Sequence, residues 1–303
     1  MKGMMVFALL FCLASPAHAA GFEWIDDAGL GTLTLEEGST PVLTYCYGDQ
    51  LKEGVDAKYT RSCYIHPLYD LDGKPLTDDF PGDHKHHRGV FWTWPRMTVR
   101  GKKVQTWHPC NPPLRQFLVK WLKKEAGDKA ATLSVQNETK LGADERVGLQ
   151  TVTLVAHPAS EQGRAIDVTL TFEAIGGPME LLGAKKKGYG GLCIRGAPDL
   201  KGGTLTTDAG PLQKDSVNKP FQWADLSKDG RGMAVFVPSD HPDFPPTWLL
   251  RSSYGGILNV SWPGVKPYTL EPGKPLTLRY RIYVHRGDVE TGRVREAFEN
   301  DSR

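Results

Sequence analysis

The sequence lacks several features that would assign the protein to a familiar class. Beyond residue 20 it has no apolar run of the roughly 18 residues that a membrane-spanning helix needs. A formal charge of +2 leaves no basic surface for nucleic acid, and the only run of three lysines, at 185–187, is typical of a solvated loop. We therefore expect no membrane insertion and no nucleic-acid partner.

The motifs of several enzyme classes are missing as well. There is no Gly-x-Ser-x-Gly nucleophile elbow, no phosphate-binding loop, and neither His-Glu-x-x-His nor His-x-x-Glu-His. Gly29-Leu30-Gly31 lacks the third glycine and the helix of a dinucleotide site. Asp78 and Asp79 are adjacent and would face opposite ways on a strand, so a pair of opposed hydrolase carboxylates is not visible.

The first residues have the pattern of a secretory signal peptide. Lys2 is followed by an apolar segment at 4–14 and by the A-x-A cleavage site Ala17-His18-Ala19. We predict a signal peptide at 1–19, a mature chain from Ala20, and a periplasmic or extracellular location.

Cysteine is scarce in the mature chain. The four that remain are Cys46, Cys63, Cys110 and Cys193. An even number in an oxidising compartment permits disulfides, and we predict one between Cys46 and Cys63. The spacings do not form the paired Cys-x-x-Cys pattern of a structural zinc site.

Alternation of apolar and polar residues dominates the rest of the chain. From Ile166 to Ala174, and again from Leu276 to Val284, every second residue is apolar, which is typical of a strand with one buried face. Further strands are predicted near residues 30–36, 41–47, 89–94, 97–107, 114–123, 130–138, 146–156, 190–195, 203–207, 231–237 and 256–262.

Only the tail indicates a helix, with Asp288 as N-cap and helical residues from Val289 to about Asn300. Short strands with turns between them, and no alternating helices, favour an all-β protein over an α/β sheet. We predict a single domain at 20–303, a large antiparallel β-sandwich of supersandwich type with a short C-terminal helix.

Histidines are concentrated in one short segment, Asp83-His84-Lys85-His86-His87-Arg88. Imidazole can ligate a metal or move a proton near neutral pH. In an extended segment His84 and His86 would share one side, and Asp83 and His87 the other. His66 stands shortly before, among aromatic residues, and is expected to share a pocket with this segment.

Two kinds of chemistry fit these residues. In the first, two or three of His66, His84, His86 and His87, with or without Asp83, hold one divalent metal, Zn²⁺, Mn²⁺ or Fe²⁺, with an open position for substrate. The preferred set is His66, His86 and His87. In the second, a neutral histidine abstracts a proton while Arg88 or Arg195 stabilises an enolate or carboxylate.

Aromatic residues indicate the ligand class. Several tryptophans stand beside proline or glycine, where their rings could line a cleft and stack on sugar faces. Tyr189 lies between glycines and could approach a ligand closely. A carbohydrate or a carbohydrate-derived small molecule is therefore the expected partner.

Several short segments, spread over most of the mature chain, together resemble the segments of a known family. They are Arg61-Ser62-Cys63-Tyr64-Ile65-His66-Pro67-Leu68-Tyr69, Asp83-His84-x-His86-His87-Arg88-Gly89, Tyr189-Gly190-Gly191-Leu192, Asp240-His241-Pro242, Pro245-Pro246-Thr247-Trp248, Trp262-Pro263-Gly264 and His285-Arg286-Gly287. Together they resemble the secreted bacterial "PmoA family", also labelled methane oxygenase PmoA. The resemblance implies a place beside sugar oxidoreductases and polysaccharide-degrading enzymes, without a catalytic assignment. The strand before Gly287 is similar to the last strand of galactose-mutarotase-type supersandwiches.

The leading hypothesis is a secreted carbohydrate-active enzyme, a lyase, epimerase or metal-assisted hydrolase. His66 and His87 are predicted as base or metal ligand, Arg88 as the group that binds an oxyanion, and Tyr189 as proton donor. The predicted substrate-binding residues are Asp83, His84, Arg195, Asp240, His241, Trp248, Trp262 and His285. The alternatives are a non-catalytic glycan-binding module and a mononuclear non-haem iron oxygenase that uses two histidines and Asp83.

Overall fold

The computed structural model of the protein describes residues 21–301, in which antiparallel strands form three sheets. In spatial order the first sheet contains β1 (Phe22–Asp27), β2 (Thr32–Glu37), β3 (Thr40–Cys46), β4 (Tyr64–Leu68), β5 (Val90–Thr93), β13 (Gly191–Arg195), β20 (Ile257–Ser261), β19 (Thr247–Arg251) and β16 (Ser216–Pro220). The predicted signal peptide lies outside the described residues.

The second sheet packs against the first and, like it, has nine strands. Its order is β15 (Gly210–Pro211), β14 (Thr204–Thr207), β17 (Trp223–Lys228), β18 (Arg231–Phe236), β22 (Leu276–Arg286), β11 (Gly163–Ala174), β10 (Glu145–Ala156), β9 (Ala131–Leu141) and β8 (Leu114–Ala126). A smaller third sheet contains β21 (Tyr268–Leu270), β12 (Met179–Leu182), β6 (Arg96–Val99) and β7 (Lys102–Val104). Short 3-10 helices lie at Ala57–Tyr59 and Pro198–Leu200. The predicted all-β sandwich is confirmed.

The two most regular predicted strands pair with each other at the centre of the second sheet. In β11 and β22, Ile166 lies opposite Ile282 and Leu170 opposite Leu278. All four side chains are buried in the main core between the sheets. Since alternate residues of a strand point to opposite faces, this register also places the polar residues between them on the other face.

The C-terminal helix is present but begins later than predicted. It spans Val294–Asp301, and Asp288 caps a preceding turn by accepting a hydrogen bond from the backbone of Thr291 at 2.9 Å. Arg293 has a positive φ of 51°, which is incompatible with a continuous helix from Val289. None of the helices in residues 21–301 is both long and apolar enough to cross a membrane.

The first sheet buries side chains on both of its faces. Val90 and Trp92 of β5 enter the main core. Phe91 between them lies on the opposite face, directly across from Cys193 of β13. We name the cluster on this face the outer cluster, and its members are Cys46, Tyr64, Phe91, Trp107, Cys193, Leu249 and Ile257.

The same alternation overturns the predicted disulfide. Cys46 belongs to the outer cluster and Cys63 to the main core, so their thiols lie on opposite faces although their backbones are hydrogen-bonded at 2.7 Å. All four cysteines of the described chain are free. Burial raises the pKa of Cys46 and of Cys63 to about 12, which makes both thiols unreactive near neutral pH.

Candidate functional site

The histidine segment belongs to the connection between β4 and β5, and it is folded, not extended. The backbone N–H of His84 donates to Pro81 at 3.1 Å, and that of His87 donates to His84 at 2.8 Å. These turns bring His84 over His87, so the two rings that were predicted on opposite sides stack. Gly89 closes the segment, where a Cβ would overlap the carbonyl oxygen of Ile65.

Arg88 anchors this segment from beneath. Its side chain is only 1% exposed. Nε lies 3.4 Å from Asp79 Oδ1, and the guanidinium donates to the backbone carbonyls of Tyr59, Lys85 and His87. These contacts fix the guanidinium and give Arg88 a positioning role, while its role in binding a substrate oxyanion stays a prediction.

Replacement of Arg88 by methionine should therefore lower the free energy of unfolding by about 3 to 5 kcal/mol, because it leaves the buried Asp79 without its cationic partner. Urea denaturation measures this change. The control is Arg279→Met, which breaks an exposed ion pair with Asp240 and should cost at most about 1 kcal/mol. Equal losses in the two variants would contradict the anchoring role.

Four histidine rings meet above the outer cluster, and we call them the histidine cluster: His84, His86, His87 and His108. His84 stacks on His87 with centroids 4.8 Å apart, and His86 contacts His87 at 4.5 Å. His108, from the connection between β7 and β8, contacts His86 at 3.8 Å. The local segment thus supplies three rings, and a distant loop supplies the fourth.

Two of these rings are held neutral by their surroundings. Burial, together with the neighbouring His108 and His84, lowers the pKa of His86 to about 3. His87 is 3% exposed, and burial lowers its pKa still further. Its Nδ1 is buried without a hydrogen-bond partner in the described chain. Neutral rings can pack this closely because they do not repel one another.

His84 is the member of the cluster that is tied to a carboxylate. Arg195, at the end of β13, donates from Nη2 to Asp83 Oδ1 at 3.0 Å. Oδ2 of Asp83 lies 3.1 Å from Nδ1 of His84, within ion-pair distance but outside hydrogen-bond geometry. Although burial acts to raise it, the pKa of Asp83 is lowered by His84 and Arg195. The ionised carboxylate favours the tautomer of His84 with the proton on Nδ1, which leaves Nε2 able to accept a proton.

The cluster lines an open cleft of about 170 Å³, the histidine cleft. Tyr189 contacts Trp107 with ring centroids 4.7 Å apart, and Tyr254 contacts His84 at 5.5 Å. Burial raises the pKa of Tyr189, which keeps its hydroxyl protonated. The other lining residues are His86, His87, His108, Lys187, Leu249, Arg251 and Ile257.

The residues present do not fit the predicted metal site. His66 is held with Nδ1 3.1 Å from Thr77 Oγ1, and burial lowers its pKa to about 4. In the part of the chain that the structure describes, no three His, Cys, Asp or Glu side chains are arranged to hold a metal ion. The predicted set of His66, His86 and His87 is therefore not gathered around one point.

Of the other predicted substrate-binding residues, the two tryptophans lie in the main core. Trp248 is fully buried and donates from Nε1 to the carbonyl of Phe221 at 2.8 Å. Trp262 is 2% exposed and packs against Tyr268. These positions correct the interpretation of both rings as sugar-stacking surfaces, since neither can face a ligand.

The remaining predicted residues have partners away from the histidine cleft. His241 Nε2 lies 3.3 Å from the hydroxyl of Tyr280, and burial lowers the pKa of His241 to about 4. His285 is paired with the buried Asp225 at 2.7 Å. Asp240 forms an exposed ion pair with Arg279. None of these three residues lines the histidine cleft.

Several residues of the cleft were missed by sequence reasoning. His108 follows Trp107 and precedes proline, and this rigid aromatic setting was the only local signal for it. Arg251 and Tyr254 lie at the end of β19 and in the turn before β20. Nothing near them in the sequence indicates that these strands bring them to the histidines.

Fold and site together define an all-β sandwich with an open, histidine-lined cleft on the outer face of one sheet. The chain belongs to DUF6807, a family of unknown function, which it matches over residues 32–299. This match does not test the resemblance to PmoA-family proteins, which stays a prediction. No curated protein is significantly similar to the chain in sequence.

Two solved structures show weak similarity to the chain. The heparan sulfate lyase HepC of Pedobacter heparinus is 8% identical, with a TM-score of 0.42, over 89% of this chain and 36% of that one. A GalM/aldose epimerase homologue of C. elegans is 10% identical, with a TM-score of 0.35, over 89% of this chain and 100% of that one. The chain thus spans little more than a third of the lyase. Likeness at this level supports no conclusion about the fold or the activity of this chain.

Proposed function

We propose that this protein is an exported carbohydrate-active enzyme that removes a proton from a sugar or oxidised sugar in the histidine cleft. The observation that carries the proposal is the chain of contacts from Arg195 through Asp83 to His84, whose ring opens onto the cleft. A carboxylate that orients an accessible imidazole is the arrangement expected of a general base. Export rests on the signal-peptide pattern at 1–19.

The proposed reaction begins at a carbon next to a carbonyl or carboxyl group. His84 Nε2 accepts the proton, and the electron pair of the C–H bond moves into an enolate oxygen. Arg251 and Lys187 line the same cleft without a carboxylate partner in the described chain, so they are available to stabilise that oxygen. Tyr189 then donates its hydroxyl proton, to the leaving oxygen in a lyase or to the opposite face of the carbon in an epimerase.

This assignment moves the base from the predicted His66 and His87 to His84. Both predicted residues have pKa values lowered by burial, and a base is most effective when its pKa lies near the working pH. His87 instead supports the ring of His84 by stacking. The two other hypotheses have less support, because the tryptophans proposed for glycan binding are buried and Asp83, proposed as an iron ligand, is engaged by Arg195.

The test is solvent exchange and product formation. Candidate uronates and keto-sugars are incubated with the protein in D₂O, and NMR detects deuterium at the carbon while ultraviolet absorbance detects unsaturated products. Asp83→Asn should slow both by about 10- to 100-fold, because the base loses its orienting carboxylate.

Asp167→Asn is the matched control. Asp167 also joins a histidine and an arginine, His157 at 2.7 Å and Arg281 at 2.5 Å, but on the second sheet. This variant should keep the wild-type rate. Sugar binding without exchange in the wild-type protein would reject the enzyme and favour a glycan-binding module.

A further inference from the structure

A second and larger cavity adjoins the histidine cleft. Its volume is about 410 Å³, and three residues, His86, Trp107 and His108, line both spaces. We call it the arginine cavity, because Arg61, Arg88 and Arg115 all line it. The shared residues make the two spaces neighbours, so one extended ligand can enter both.

The charges around the arginine cavity are of one sign. Its lining contains the three arginines and Lys58, and no aspartate or glutamate. Most of these cations have carboxylate partners outside the lining: Lys58 pairs with Asp56, Arg88 with Asp79, and Arg115 with Asp49. Arg61 is the exception, since no carboxylate of residues 21–301 lies within ion-pair distance of it.

Arg61 is held in place without being neutralised. Its backbone pairs with Gln50, and its guanidinium lies 5.8 Å from the ring of Phe91. Nη2 donates to the carbonyl of Thr106, while Nη1 is buried and has no hydrogen-bond partner in the described chain. Burial, together with the positive charge of Arg88, lowers the pKa of Arg61 to about 9. Such an uncompensated cation is costly, and an anion in the cavity would offset that cost.

We infer that the arginine cavity is the subsite for an anionic group of the substrate, a carboxylate or a sulfate ester, held by the charge of Arg61. Resting on the function proposed for the histidine cleft, this makes the substrate an acidic oligosaccharide that occupies both cavities. The acidic group lies beside Arg61, and the sugar carbon that loses its proton lies beside His84. Neutral rings of His86 and His108 between them can hydrogen-bond to sugar hydroxyls without adding charge.

The experiment uses the full protein and three probes: sodium sulfate, D-glucuronate and uncharged D-glucose. Ring signals of His86 and His108 are followed by NMR during each titration. Sulfate and glucuronate should cause saturable shifts, and glucose, which lacks the anionic group, should cause much smaller shifts at the same concentration. Arg61→Gln should weaken anion binding by about 10- to 100-fold, as expected for a lost charge-assisted interaction. The stronger of the two anions identifies the preferred group.

Arg61→Lys keeps the charge and should keep part of the affinity. This result would show that the loss of binding in Arg61→Gln comes from the lost charge and not from a folding defect. Arg279→Gln, on the exposed surface, should bind as the wild type does. Anion binding that is unchanged in Arg61→Gln, or equal shifts with glucose, or no saturable shift with any probe, would overturn the inference. His84→Ala should leave anion binding intact, so failure of the base and failure of the subsite are distinguishable.

Discussion

Substitution of His84 by alanine is expected to lower kcat by about 100- to 10,000-fold, the range for loss of a general base. The ring is removed from an open cleft, where its side chain is 35% exposed, so the melting temperature should move by only a few degrees. Solvent deuterium exchange into the substrate measures the rate, and calorimetry measures the melting temperature. Loss of rate without loss of stability would place His84 in the reaction.

His157→Ala is the control for this substitution. His157 is 40% exposed and pairs with Asp167 at 2.7 Å, which matches His84 in exposure and in having a carboxylate partner. It lies immediately after β10 and does not line the histidine cleft. Its removal should leave kcat unchanged. If His84→Ala were as active as His157→Ala, the base would have to be another residue.

The second large effect is loss of stability in acid. Burial lowers the pKa of His66, His86, His87 and His241 well below the value near 6.5 of an unfolded chain. As the pH falls through about 6.5, these four histidines therefore bind protons in the unfolded state before they do so in the folded state. Each histidine should remove about 1.4 kcal/mol of stability per pH unit until its folded-state pKa is reached. Denaturation in urea at a series of pH values between about 6.5 and 5 measures the slope.

The pH range of the measurement matters, because buried carboxyl groups change the stability in the opposite direction. Burial raises the pKa of Asp79 and of Asp225, so protonation of these groups in the folded state restores some stability at lower pH. His241 is remote from the cleft, and His241→Gln should reduce the slope of stability against pH by the contribution of about one proton. The control is His157→Gln, at an exposed position. Stability that does not change between pH 6.5 and 5 would show that these rings are not held neutral.

Much of the fold was predictable because it is encoded by local alternation. The strands at Gly163–Ala174 and Leu276–Arg286 were recognisable because every second residue over most of their length is apolar. β17 was missed because nearly all of its residues are buried: one face lies in the main core, and Trp223 on the other packs with the helix residue Val294. A strand covered on both sides has no polar face to mark it.

The site was predictable where its residues are close in sequence. The segment 83–88 supplies three rings of the histidine cluster, and Arg195 was also recognised as a candidate. The sequence does not assign their roles, because it does not show which histidine is accessible. Accessibility depends on how Arg88 and the outer cluster bury the individual rings. Tyr254 and Arg251 come from the far side of the sheet, and the pairing of β13 with β20 and of β20 with β19 that brings them there is a long-range property.

The tryptophans were misinterpreted for a related reason. Trp262 precedes a proline and Trp248 lies two residues after one, a setting that predicts exposed rings, yet both rings fill space between the sheets that only large side chains can fill. Trp107, in contrast, belongs to the outer cluster and lines both cavities.

The outer face of the first sheet carries the cleft, whereas the opposite face holds the two sheets together. Substitutions on the outer face can therefore change the surface of the cleft without altering the packing between the two sheets. Membership of this family should accordingly predict architecture better than it predicts the preferred ligand. For protein engineers, exchange of the exposed loops is a direct route to new specificities.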